Sequence, residues 1–337
     1  MKHRHILSML ILVLFASLLT AQIIPDLPKY KTLKCDFHMH TIFSDGLVWP
    51  TIRVDEAVDE GLDAIAITDH LEYLPHKKHV STDKNISFEI AKRKADRKGL
   101  ICIAGAEITR WMPPGHLNAI FLKDANKLVI DDFLSVIEEA IDQGAFIFWN
   151  HPGWIVHQPD RVVRWYDIHT TLVERGWMHG IEFANTHEYY PAVLEFTNKH
   201  ELAHFGNSDV HGIVYHDFLK KNAHRPLTLV FAEERSEEAI KEALFARRTI
   251  ALSEDDVLAG PEELLYQFVE ACINIENVDG EIKVSNLSEI PFIFERSDLG
   301  EFTLGALGEV KLPGAGEWVI MNTFVDKNNH LILKLSQ

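Results

Sequence analysis

The chain has 337 residues, of which 47% are hydrophobic and 25% charged, and a formal net charge of −17. That length exceeds one minimal domain and accommodates a barrel of roughly 250 residues with a smaller module beside it. The acidic balance excludes a surface that coats nucleic acid, which needs clustered Lys and Arg; it does not exclude an anionic substrate, because bound divalent ions reverse the local field.

In chain order, Lys2 and Arg4 precede an apolar run over 6–19, and Leu19-Thr20-Ala21 brings a small residue before Gln22. A basic start, an apolar middle and a small-residue end make the plan of a secretory signal peptide over residues 1–21. An uncleaved anchor is the rival, since 6–24 is nearly long enough to span a bilayer. Ser8, Ser17, Thr20 and Gln22 interrupt that run and no basic stop-transfer cluster adjoins it, which favours cleavage. Losing Lys2 and Arg4 moves the net charge from −17 to −19. Cys35, Cys102 and Cys272 make no disulfide framework, and export without one suits a bacterial periplasm, with no membrane association after cleavage. With 19 His against 3 Cys, a metal site here is imidazole–carboxylate rather than thiolate.

From residue 33 to about 250 short apolar runs alternate with amphipathic stretches. The apolar runs fall at 62–68, 100–107, 117–122, 145–149, 180–184, 202–206 and 227–231; helical periodicity falls at 51–60, 88–98, 131–143, 191–200 and 236–246. This alternation predicts an α/β fold with a mostly parallel sheet, closed or nearly closed into a barrel over 30–255. After residue 252 the segments 267–275, 281–285, 291–295, 317–323 and 331–335 are separated by turn residues. They predict a small, sandwich-like all-β domain over 264–337, without a helix of length. It has no His or Cys cluster and is assigned no chemistry.

The candidate chemistry begins at 35–46, CDFHMHTIFSDG. His38 and His40 share a strand face, so both rings address one point, and Asp45 enters the loop that follows. Asp69-His70 follows the run 62–68, Glu107 ends the run 100–107, and His116 opens the next. His151 follows Trp149-Asn150, and Asp209 and His211 follow the run 202–206. In a parallel barrel the carboxyl ends of all strands meet at one mouth, so these nine His, Asp and Glu side chains converge. Imidazole with carboxylate suits zinc, iron or manganese.

DFHMHTIFSDG, AITDH, GAEI, NHPG and GNSDVHG resemble, in order, the motif series of the PHP (polymerase and histidinol phosphatase) family over about 34–212. The resemblance implies a distorted (β/α)7 TIM-like barrel with two or three divalent ions at its mouth, and hydrolysis of phosphate mono- or diesters. It further implies one ion on His38, His40, Glu107 and Asp209, a second on Glu107 as a bridge with His116 and His151, and a third on Asp45, His70 and His211. Glu107 and Asp45 then belong to the catalytic set. A hydroxide shared between two ions is the expected nucleophile, attacking phosphorus in line.

Other polar residues support this reading. His187, after the run 180–184, is a candidate proton donor to the leaving group. Arg110-Trp111 is placed to touch a phosphate and a flat substrate portion. His157 and His216 are candidate rim contacts to substrate, and Asp69 a candidate partner that orients a ligating imidazole. Asp36 is either a second such partner or plain strand polarity, and the basic stretch 76–79 either steers anions or is solvated. The expected substrate is a small phosphate ester, with no stable nucleic-acid binding. The alternatives are an amidohydrolase-like hydrolase of C–N or C–O bonds, disfavoured by the lack of a strand-end Lys, and a metal-stabilised, non-catalytic binding module.

Overall fold

A computed structural model describes residues 23–221, 223–278 and 281–335, so the signal-peptide reading of 1–21 lies outside the described residues. The first part of the chain runs β1 (Lys31–Asp36), α1 (Pro50–Asp59), β2 (Ala64–Ile67), α2 (Ile86–Lys98), β3 (Ile101–Ile108), β4 (Leu117–Ile120), α3 (Phe133–Asp142), β5 (Phe146–Trp149), α4 (Asp167–Glu174) and β6 (Gly180–Asn185). It continues through β7 (Glu188–Tyr189), α5 (Val193–His200), β8 (Ala203–Asn207), α6 (Val214–Asp217), β9 (Leu227–Ala232), α7 (Glu237–Phe245), β10 (Thr249–Leu252) and β11 (Leu258–Ala259). Ordinary end signals place the helices. Pro50 starts α1, Asp132 and Ser236 cap α3 and α7 through their side chains, and Gly99, in the left-handed region at φ 73°, ends α2.

These strands form the distorted (β/α) barrel. β1, β2 and β3 are parallel neighbours, as are β5, β6 and β8. β4 is antiparallel to both β3 and β5, and β9 to both β1 and β10. The residues between β3 and β4 are too few for a parallel crossover, which needs a dozen or more. Beyond β8 and β1 the ring closes through the motif segments themselves: Asp209 N donates to His38 O at 2.8 Å and His40 N to Val210 O at 3.1 Å. One core cluster gathers Cys35, Ile103, Phe148 and Phe205 from four strands, with the last two rings stacked 4.3 Å apart.

The C-terminal part contains α8 (Glu262–Cys272), β12 (Ile273–Val278), β13 (Glu281–Asn286), β14 (Phe292–Arg296), β15 (Gly300–Leu304), β16 (Glu309–Leu312), β17 (Gly316–Phe324) and β18 (His330–Leu335). The expectation of strand over 267–275 and of no long helix is therefore corrected. Leu265, Phe268, Val269 and Cys272 recur at helical spacing and are fully buried, so this face packs as a helix before the chain extends into β12. Antiparallel β12, β13 and β16 form a small sheet; β14, β15, β17 and β18 form another, which joins the barrel sheet through parallel pairing of β17 with β11. A common core ties the two parts, with Leu229, Phe231 and Ile250 of the barrel packed among Phe268, Phe292, Trp318 and Leu333.

Candidate metal centre

Two of the converging residues, His151 and Asp209, have φ values of 29° and 50°. Side chains other than glycine disfavour this region by about 1–2 kcal/mol, and such strain persists where the surroundings fix it. Here backbone bonds fix it: His151 N donates to Glu182 Oε2 at 2.7 Å, and Asp209 N to His38 O. Gly46 is required by close approach, since a Cβ there would stand 2.6 Å from the backbone of His40 and Thr41. Buried Arg53 of α1 clamps both motif loops, donating to the carbonyls of His40 at 2.9 Å, Val210 at 3.0 Å and Gly212 at 2.8 Å.

All nine expected ligand positions are brought together. Their donor atoms fall into four overlapping groups: His38–His40–Asp209, His38–Glu107–His151, His70–Glu107–His116 and His40–Asp45–His70–His211, each within 4.8 Å. The partition differs from the resemblance in four ways: Glu107 is absent from the His38–His40–Asp209 group, His151 groups with His38 rather than His116, His70 also joins Glu107 and His116, and His40 also reaches the Asp45 group. Asp209 Oδ1 is 3.2 Å from His38 Nε2 and 3.0 Å from His40 Nε2; Asp45 Oδ1 is 3.4 Å from His70 Nε2 and 3.2 Å from His211 Nε2. Glu107 stands at the centre, 2.9 Å from His116 Nδ1, 2.7 Å from His70 Nδ1 and 3.6 Å from His151 Nε2. Two ligands on one ion at bond lengths of about 2.1 Å are themselves roughly 3–3.5 Å apart, so these spacings suit a shared cation.

A second layer fixes ring orientation, and the sequence reading missed its chief member. Glu182, buried in mid-β6, accepts from His38 Nδ1 at 2.9 Å and from Asn185 and Asn207. A carboxylate inside the apolar run 180–184 was the signal that could have found it. Asn150 donates to Glu107 Oε1 at 2.9 Å, and Thr109 Oγ1 lies 2.7 Å from His70 Nδ1. Asp69 does not meet a ligating imidazole directly, which corrects that expectation. It accepts from Thr41 N and Oγ1 and from Ser44 Oγ, and Ser44 alone reaches His40 Nδ1, at 3.4 Å. Asp36 is no imidazole partner either; it accepts from Ser208 Oγ at 2.6 Å and from buried Arg225 at 3.0 Å.

The remaining candidates divide. A cavity of about 650 Å³ opens over Asp45, His70, Glu107, His116, His151, Asp209 and His211, and His187 lines it. His187 Nδ1 is 2.7 Å from Glu254 and its Nε2 3.4 Å from Lys221. Arg110 is not among the lining residues: its guanidinium is committed to Glu72 and to the carbonyls of Ile130 and Asp131, leaving it no free edge for phosphate. His216 is exposed on α6 against Tyr215 and does not reach the cavity, although its neighbours Asp217 and Phe218 do. His157 lies outside the lining but packs edge-on against His116, ring centroids 4.8 Å apart. Lys77, Lys78 and His79 are exposed and away from the lining.

The donor set fits cations on two observations. His38 Nε2, His40 Nε2, Glu107 Oε2, His151 Nδ1 and Asp209 Oδ1 are buried without a hydrogen-bond partner, a costly arrangement unless the atoms serve another ligand. Burial alone would raise the Glu107 carboxyl, yet the imidazoles of His70, His116 and His38 outweigh it and hold the group well below its usual range. Asp209 is likewise held down against burial by His38 and His40, and Asp45 by His211 and His70. His40 is pushed down to about 4 by burial and by the neighbouring His211 and His70, leaving a neutral ring with a free lone pair. At His38 and His70 the surrounding carboxylates instead outweigh burial and raise both, His70 to about 10, so that a cation bound there displaces protons.

The profile of the PHP domain matches residues 36–241. Over 94% of this chain and 98% of the other, the fold superposes with a TM-score of 0.90 and 41% identity on a crystal structure from Bacteroides vulgatus, described as a two-domain protein containing a predicted PHP-like metal-dependent phosphoesterase. An uncharacterized protein of Methanocaldococcus jannaschii is 29% identical over 154 residues, 42% of this chain and 69% of that protein.

Proposed function

The chain belongs to the PHP domain family, and from that premise we propose that it is an exported, metal-dependent phosphoesterase acting on small phosphate mono- or diesters. The observation that carries the proposal is the set of buried, unpartnered donor atoms on His38, His40, Glu107, His151 and Asp209, the last three of which line a cavity of substrate size. The similarity to the Bacteroides vulgatus protein, described as PHP-like and metal-dependent, supports the same reading.

Two or three divalent ions of zinc, iron or manganese would be held by His38, His40, Asp45, His70, Glu107, His116, His151, Asp209 and His211. Bound there, they supply Lewis acidity toward phosphoryl oxygens and lower the pKa of water. The chain's own residues supply the rest. Glu182 holds the His38 proton on Nδ1, so Nε2 presents its lone pair. Asp209 O holds the His211 proton on Nδ1 at 2.8 Å in the same way, and Asn150 fixes one oxygen of Glu107. His187, steadied by Glu254, protonates the departing alkoxide from the cavity wall.

Aryl mono- and diester assays after reconstitution with each metal test the proposal. Turnover abolished by chelation and restored by one of the three metals supports it; a metal-loaded protein that hydrolyses no phosphate ester contradicts it.

A further inference from the structure

The cavity wall away from the candidate ligands has a consistent chemistry. Leu47, Trp154, Ile155, Tyr190 and Phe218 line it, and its charged members outside the ligand set are Glu188 and Asp217. Lysine and arginine are absent from the lining among the described residues. Arg161, outside the lining, already pairs with Glu188 at 2.7 Å, so a substrate that carried further phosphates or carboxylates beyond the reacting phosphoryl group would meet carboxylates there with no lysine or arginine of the lining to receive it.

From Trp154 on this wall a run of rings leads out of the cavity through His157 to Trp111, neither of which lines it. Trp154 packs at 5.1 Å from His151 and 5.8 Å from His116, measured between centroids. His157 lies 5.0 Å from Trp154, and Trp111 lies 5.4 Å from His157. Trp111 ends the run with 75% of its surface exposed, and Ile155, beside Trp154 in sequence, is 47% exposed. Both indoles stand on loops after barrel strands, Trp111 after β3 and Trp154 after β5. An indole left three-quarters in water at the end of an aromatic run is a surface without its partner. The run connects to the cavity through Trp154, so what covers it is the part of the ligand that projects outward from the metals.

We propose that this shelf selects phosphate esters carrying a flat, uncharged aryl or heteroaryl ring, which stacks along Trp154 and Trp111 while the phosphoryl group sits over the candidate ligands. The inference rests on the phosphoesterase reading for the phosphoryl end and on the shelf alone for the ring. Stacking of a planar ring on an indole changes affinity by about tenfold, and the Trp111 ring packs on His157 rather than on the ring of a candidate ligand, so the contribution is separable.

Calorimetric titration of the metal-loaded full chain with benzylphosphonate, cyclohexylmethylphosphonate and methylphosphonate tests it without requiring turnover. Benzylphosphonate is expected to bind about tenfold tighter than methylphosphonate, with the cyclohexylmethyl compound between them. Trp111→Ala is expected to close most of that gap, and Trp111→Phe to keep part of it. Equal affinities, a gap that survives Trp111→Ala, a cyclohexylmethyl compound as tight as the benzyl one, or no binding of benzylphosphonate would each overturn the proposal. Ring selectivity intact in a protein that hydrolyses no ester would instead sink the phosphoesterase reading and leave the shelf standing.

Discussion

The barrel mouth and the C-terminal β module treat buried polar atoms in opposite ways. In the module Asn286 Nδ2 donates to the carbonyls of Ile290 and Gly305, and Asn322 Nδ2 to those of Asp256 and Pro291. Every buried side-chain N or O atom that lacks a partner among the described residues lies instead in the barrel part, and five of the nine belong to the candidate ligands. A region built only to pack closes its hydrogen bonds; one built to hold a ligand keeps its donor atoms open and fixes them from behind.

The largest expected effect that would break this contrast is at its centre. Glu107→Gln keeps the shape but removes the charge that faces the imidazoles of His38, His40, His70, His116 and His151, and is expected to lower kcat by roughly a thousandfold, read with an aryl phosphate ester. His187→Ala, at the cavity wall, is expected to cost less, about a hundredfold, because proton donation is only one part of the barrier. Glu182→Ala sharpens the second-layer argument: metal affinity is expected to fall by about 10–100-fold in a chelator competition while the fold persists. Trp318→Ala, in the module, should do the reverse, costing about 3–5 kcal/mol in urea unfolding with kcat per folded molecule retained.

The smallest effect concerns histidines of the barrel that are not candidate ligands. Burial holds His169, His179 and His204 down to about 4, so all three are neutral in the folded chain at neutral pH. Between pH 6.5 and 4 the unfolded chain binds more protons at these sites. Stability is therefore present above pH 6.5 and lost as pH falls through that window, by up to about 1.4 kcal/mol per pH unit for each. Thermal melts of the metal-free protein across that range measure it, and replacing His204 by Gln should flatten the slope.

Much of the site was legible because its residues stand beside apolar runs at strand ends, where a barrel gathers them. Glu107 and His151 could be placed without knowing what lay across the mouth. Arg110 could not, because the carboxylate that occupies it, Glu72, lies 38 residues away in sequence and nothing local announces the pairing. Glu182 and Arg53 were open to inference from a charge inside an apolar strand or helix face, but a single charge there also fits an edge or a cap. The segment 267–275 was misread because Phe268, Val269, Cys272 and Ile273 satisfy a short strand as well as a helix, and length arbitrates only once the helix start at Glu262 is known. The antiparallel settings of β4 and β9 were not read from the sequence: that of β4 follows from the short link after Ile108, whereas that of β9 depends on the packing of the whole ring.

The central claim is that the nine converging side chains exist to hold cations. Elemental analysis of the purified full chain, alongside Glu107→Gln, tests it most directly. Two or three equivalents of zinc, iron or manganese per chain, reduced in the variant, is the predicted result; a folded wild-type protein that retains no divalent metal after reconstitution would contradict it.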